Sequence, residues 1–260
     1  MTLTAGDVPV AYDDRGSGEP ALLLLPGWCA GRSMFDDFTA VIGNRHRTLA
    51  MDWRGHGDSA AASGDFGTQE LVEDALAVIQ ASGAETVVPV AAAHAGWVAI
   101  ELRRRLGERI QKIVLVDWIV TEAPPPFLAG LQAMTDPGAA FAVRDQLFAM
   151  WTSGVDHAGV QRFVHDDMGA YPAEMWARAG REIGAAYASE GSPLRALAAL
   201  TPPVPVLHAY AQPDDPGYLD VQRGFAAEHP WFSVHKLDAR SHFPTIEVPD
   251  QVASVVGQFV

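Results

Sequence analysis

The chain has 260 residues, a formal net charge of −14, 48% hydrophobic and 19% charged residues, and one cysteine. That length and apolar content fit one large α/β domain with an insertion, and exclude a disordered polymer. The acidic balance excludes nucleic acid and anionic membrane surfaces as partners, and the lone Cys29 excludes an internal disulfide and suits a reducing cytoplasm.

From Thr2 to Asp14 polar and apolar residues mix without a basic segment leading into an apolar core, so no signal peptide is expected. No apolar run approaches the roughly 20 residues of a membrane span, and a soluble, cytoplasmic protein is expected. Val8, Val10 and Tyr12 alternate with smaller or polar residues and predict an antiparallel strand ending at Asp13-Asp14-Arg15-Gly16. Ala21 to Leu25 is continuously apolar, as a strand buried on both faces requires, and breaks at Pro26-Gly27 before Trp28. Thr48 to Asp52 predicts another strand, followed by the loop Trp53 to Ser59. Leu71, Ala75, Leu76 and Ile79 recur at helical spacing, with Glu70, Glu73 and Asp74 on the other side.

The stretch the chain is organised around comes next. Val87 to Val90 runs into the small residues Ala91-Ala92-Ala93, then into the helix-like Trp97 to Leu102. Strand, sharp turn and helix in that order resemble the nucleophile elbow of the α/β-hydrolase fold, whose central residue is a strained serine. Here the central residue is Ala93, which has no atom able to attack a carbonyl. Ile110 to Val116 predicts the next buried strand, with Asp117 just beyond it. Residues 121–200 change character, opening on Pro124-Pro125-Pro126 and Phe127 and carrying Trp151 and Trp176, and read as a helical cap inserted into a core of residues 1–120 and 201–260. Val204 to Leu207 and Phe232 to Leu237 predict the last strands, followed by Asp238 to Pro244 and a helix from about Asp250. The alternation predicts an α/β fold with a doubly wound, mostly parallel sheet whose ligand lies beyond the carboxyl ends of the strands.

Trp28, Ala93, Asp117 and His242 all follow predicted strands, which places them around one pocket. His242, after the last strand, is the candidate general base, since an imidazole titrates near working pH. Asp117 is taken as its orienting carboxylate; Asp214 and Asp215, after the following strand, stay open as alternatives. Backbone N–H groups at Trp28 and His94 are candidate oxyanion donors, while the His94 imidazole is either a packing group or a pocket group. Trp28, Trp151, Trp176 and Phe127 are candidates for an aromatic pocket, although tryptophans in a cap also serve simply as filling. Cys29 has no evident base nearby and reads as structural. No P-loop, H-E-x-x-H or paired C-x-x-C is present, so neither metal nor nucleotide cofactor is expected.

Leu25-Pro26-Gly27-Trp28-Cys29, Asp52-Trp53-Arg54-Gly55-His56-Gly57, His94-Ala95-Gly96-Trp97-Val98, Val116-Asp117-Trp118, His229 to Ser233 and Ser241 to Asp250 resemble the cofactor-independent 3-hydroxy-4(1H)-quinolone 2,4-dioxygenases, over nearly the whole chain. The resemblance implies an α/β-hydrolase fold that uses O2 to open an N-heteroaromatic ring, releasing carbon monoxide and an N-acylanthranilate, without a cofactor. It implies that His242 removes the 3-hydroxyl proton with Asp117 as partner, that Trp151 lines the pocket, and that Trp28 and His94 face the oxygen side of the substrate. The chain departs from the family at Ala93 (serine there) and at Ala92 and Ala30 (histidine there). Three smaller side chains imply room for a longer 2-alkyl chain, as in 2-heptyl-3-hydroxy-4(1H)-quinolone, a bacterial signal whose destruction would be quorum quenching. The partners expected are a small aromatic N-heterocycle and O2, with the chain a monomer or weak dimer. The rival readings are an esterase or lactonase, against which Ala93 speaks, and a non-catalytic ligand binder, against which the Asp117 and His242 pair speaks.

Overall fold

The computed structural model describes residues 1–5, 8–62 and 64–260. Eight strands form its sheet: β1 (Thr2–Ala5), β2 (Val8–Arg15), β3 (Ala21–Leu25), β4 (Thr48–Met51), β5 (Val87–Ala92), β6 (Ile113–Val116), β7 (Val206–Tyr210) and β8 (Phe232–Lys236), in the order β1-β2-β4-β3-β5-β6-β7-β8. β1 pairs antiparallel with β2, and β2 antiparallel with β4; every later pairing is parallel. The five side chains of β3 are wholly buried, because helices cover both faces of a parallel sheet and leave its strands no polar side. β7 begins at Val206, two residues later than predicted. Pro205 has no N–H to contribute to a ladder, and the strand then runs on to Tyr210. β6 likewise begins only at Ile113, with Ile110 joined to Val87 through an isolated bridge.

The helices are α1 (Asp36–Ile42), α2 (Thr68–Ser82), α3 (Ala95–Leu106), α4 (Pro125–Met134), α5 (Pro137–Trp151), α6 (Ala158–Arg162), α7 (Ala173–Glu190), α8 (Pro193–Ala198), α9 (Pro216–Glu228), α10 (Pro244–Glu247) and α11 (Pro249–Phe259). α2 starts where Glu70 accepts the Gly67 N–H at 2.7 Å and ends at Gly83, whose φ of +67° closes the helix in the left-handed region. Asp74 is not on its solvent side as the periodicity predicts. It is fully buried and ion-paired with Arg54 of the Asp-Trp-Arg-Gly-His-Gly loop at 2.6 Å, which ties that loop to the helix.

α4 to α8 all fall between β6 and β7. α7 packs against both α4 and α5, and a Cβ at Gly180 would lie 2.8 Å from the Leu131 carbonyl, so α7 approaches α4 too closely for any larger residue. Among the described residues no helix is long and apolar enough to cross a membrane.

Candidate active site

Three non-glycine residues among those described have left-handed backbones: Cys29 (φ +55°), Ala93 (φ +48°) and Asp117 (φ +50°). They follow β3, β5 and β6 closely, so each strand ends in a sharp turn at the same edge of the sheet. Such a conformation costs a non-glycine residue roughly 1–2 kcal/mol, and each turn is held by specific hydrogen bonds.

At the β6 turn, the Asp117 N–H donates to the Ala209 carbonyl at 3.0 Å. Its carboxylate is 2% exposed. Oδ1 accepts the backbone N–H of Ala211 at 2.5 Å and of Gln212 at 2.8 Å, and Oδ2 lies 2.6 Å from His242 Nδ1. A carboxylate can only accept, so the His242 proton sits on Nδ1 and the lone pair on Nε2. The His242 ring stacks on Trp151 at 4.9 Å and 19°, and Phe243 meets it edge-on at 5.3 Å. The imidazole is thus oriented by one carboxylate and two aromatic rings.

The alternative acids lie elsewhere. Asp214 is 92% exposed and pairs with Lys236 at 3.4 Å. Asp215 caps α9, accepting the Gly217 N–H at 3.0 Å.

At the β5 turn, the Ala93 N–H donates to the Val116 carbonyl at 2.8 Å. α3 follows at once, and a Cβ on Gly96 would sit 2.1 Å from the Trp118 ring, so glycine is required for the helix to pass. The His94 ring is enclosed by protein while part of its surface faces the cavity. Its Nδ1 accepts the Trp118 indole N–H at 3.1 Å, and it stacks on Phe127 at 5.8 Å and 17°. Burial, helped by nearby His242, pushes the His94 pKa down to about 3.

At the β3 turn, the Cys29 N–H donates to His56 Nε2 at 3.1 Å, and His56 Nδ1 meets the Arg54 carbonyl at 2.9 Å. Burial holds His56 near 4 and pushes the Cys29 thiol well up, so the cysteine is an inert packing group. Trp28 stacks on Phe66 at 5.8 Å and 13°. No described residue accepts from the backbone N–H of Trp28 or of His94.

These turns face a cavity of about 470 Å³ lined by Ala93, His94, Asp117, Phe127, Trp151 and His242, a size that suits a small organic ligand. It shares residues with an inner chamber of about 70 Å³ that Trp28, Ala30, Met168 and Trp176 also line. Every residue singled out in the sequence for the pocket therefore borders one of the two spaces. Sequence reasoning missed Leu131, Met134, Leu147 and Gln212, which also line them. Leu131 and Met134 follow Phe127 at helical spacing, a signal that was available. Among the described residues no three His, Cys, Asp or Glu side chains are grouped to hold a metal.

The model of the alpha/beta hydrolase family matches residues 22–255. The chain is 38% identical over 255 residues to a 2-heptyl-3-hydroxy-4(1H)-quinolone dioxygenase of Mycobacteroides abscessus, covering 97% of this chain and 95% of that protein. It is 33% identical over 262 residues to a 1H-3-hydroxy-4-oxoquinoline 2,4-dioxygenase of Pseudomonas putida, covering 100% of this chain and 99% of that one. A solved structure of an AqdC variant in complex with its substrate, concerned with ring-cleavage of the Pseudomonas quinolone signal, superposes with a TM-score of 0.96 at 36% identity, covering 100% and 98% of the two chains.

Proposed function

Since this chain belongs to the 3-hydroxy-4-quinolone 2,4-dioxygenases of the alpha/beta hydrolase family, we propose that it cleaves the ring of 2-heptyl-3-hydroxy-4(1H)-quinolone with O2, giving N-octanoylanthranilate and carbon monoxide. The observation that carries this reading is the 2.6 Å contact of His242 with Asp117 on a cavity whose elbow residue is alanine. A base is in place and a nucleophile is absent. That combination suits proton removal and defeats acyl transfer.

His242 Nε2 takes the 3-hydroxyl proton, and Asp117 stabilises the imidazolium that forms. The resulting anion is electron-rich and reduces O2 itself, so no bound cofactor is called for. The atoms balance: one oxygen ends on C2 as the amide carbonyl, the other on C4 as part of the carboxylate, and C3 leaves as carbon monoxide with its own oxygen. The Trp28 and His94 backbone N–H groups face the oxygen side of the ring, and Trp28, Phe127, Trp151 and Trp176 hold its apolar faces. Residues 121–200 act as a cap over the core, keeping water from the anion. Destruction of such a signal is quorum quenching, and a cytoplasmic enzyme fits it.

The test is incubation with 2-heptyl-3-hydroxy-4(1H)-quinolone in air with a metal chelator present. Equal amounts of carbon monoxide formed and O2 consumed are expected, with N-octanoylanthranilate identified by mass. Binding without carbon monoxide would sink the reading.

A further inference from the structure

We infer that Trp118 is a positioning residue that fixes the His94 imidazole as a neutral hydrogen-bond donor, opposite in sense to His242. An indole N–H can only donate, and that of Trp118 points to His94 Nδ1 at 3.1 Å. A neutral imidazole whose Nδ1 accepts carries its proton on Nε2. No described residue accepts from that Nε2, and His94 lines both spaces of the site, so the proton is left for whatever fills them. Phe127 on one face and Tyr187 at the edge, with ring centres 5.8 and 5.9 Å away, prevent the ring from turning over.

Trp118 is itself immobilised. Its backbone N–H donates to His208 Nε2 at 3.3 Å, and His208 Nδ1 is anchored on Gln222 Oε1 at 2.5 Å. Its carbonyl accepts the Tyr218 hydroxyl at 2.7 Å. The indole lies where any Cβ on Gly96 would collide with it. The residue beside Asp117 thus ties the acid loop to the elbow histidine.

The site then holds two imidazoles of opposite tautomer, a lone pair on His242 Nε2 and an N–H on His94 Nε2. A hydroxyl next to a ring carbonyl needs one acceptor and one donor, side by side. This substrate assignment rests on the ring-cleavage reading; the tautomer assignment does not.

The tautomer is read from imidazole ¹⁵N shifts of the intact protein at neutral pH, with His94 identified by the signals lost in His94→Gln. The expected pattern is a protonated Nε2 and an unprotonated Nδ1. Protonation on Nδ1, or on both nitrogens, overturns the inference. Trp118→Phe keeps a ring against Gly96 and removes the N–H; His94 is expected to become a mixture of tautomers, and kcat/KM to fall about tenfold for one lost buried hydrogen bond. Unchanged His94 signals in that variant overturn the inference whatever its activity. If the variant does not fold, the shifts of the intact protein decide. Expected shifts in a protein that releases no carbon monoxide support the tautomer assignment and refute ring cleavage instead.

Discussion

Asp117→Asn isolates the electronic role of the carboxylate, because asparagine tolerates the left-handed backbone at this position. Oδ1 accepts two backbone N–H groups, from Ala211 and Gln212. Only the amide oxygen can take that place, so the amide NH2 is forced into the position of Oδ2, 2.6 Å from His242 Nδ1. An NH2 can only donate there. Nδ1 must then accept, the imidazole proton moves to Nε2, and the base has no lone pair toward the cavity. A positioned base is worth roughly 10²–10⁴-fold, so kcat should fall by about that factor, equivalent to ~2.7–5.4 kcal/mol of barrier. Carbon monoxide release at saturating quinolone near neutral pH measures it. Anaerobic mixing with the quinolone, followed by absorbance, shows whether the bound anion still forms. A variant within about tenfold of the parent, or one that ionises the quinolone normally, would refute the reasoning.

His242→Ala is expected to abolish carbon monoxide release while anaerobic quinolone binding stays within severalfold; retained turnover at neutral pH would remove His242 from its role. Asp214→Ala, which deletes an exposed partner of Lys236, should change kcat/KM by less than about twofold, and a loss as large as that of Asp117→Ala would move the acid to the loop after β7. Stability should depend on pH through buried neutral histidines: burial holds His56 and His208 near 4 and His94 near 3, against about 6.5 in the unfolded chain. Below about 6.5 the unfolded chain binds protons the folded one refuses, so stability is full above that pH and declines down to about 4 for His56 and His208 and about 3 for His94, by up to ~1.4 kcal/mol per pH unit for each histidine. Urea midpoints at about pH 7, 6 and 5 should fall in that order, and a flat series would contradict neutral burial.

The sheet was legible because a strand covered on both faces must be apolar whatever its neighbours, as Ala21 to Leu25 and Ile113 to Val116 are. β1 was not, since an edge strand such as Thr2–Ala5 carries no such constraint. The site was legible to the extent that strand ends announce it. Trp28, Ala93, Asp117 and His242 could be placed without knowing a single contact. The preference for Asp117 over Asp214 had weaker support in the sequence, because it depends on which of two neighbouring loops the last loop folds against. Asp74 was misplaced for a similar reason: its helical face is covered by a loop twenty residues earlier in the chain. The roles of Trp118 and His208 were hidden altogether. Their bonds span 24 and 90 residues of sequence and leave no periodic trace.

A bare methyl at the apex of the β5 turn also conceals this protein from reagents that find hydrolases by phosphonylating an activated hydroxyl. The surroundings they are tuned to are all there, yet no oxygen stands ready to form the covalent bond. A proteome surveyed by such labelling would pass over the chain in silence. Oxygen consumption in the presence of a quinolone would bring it to light.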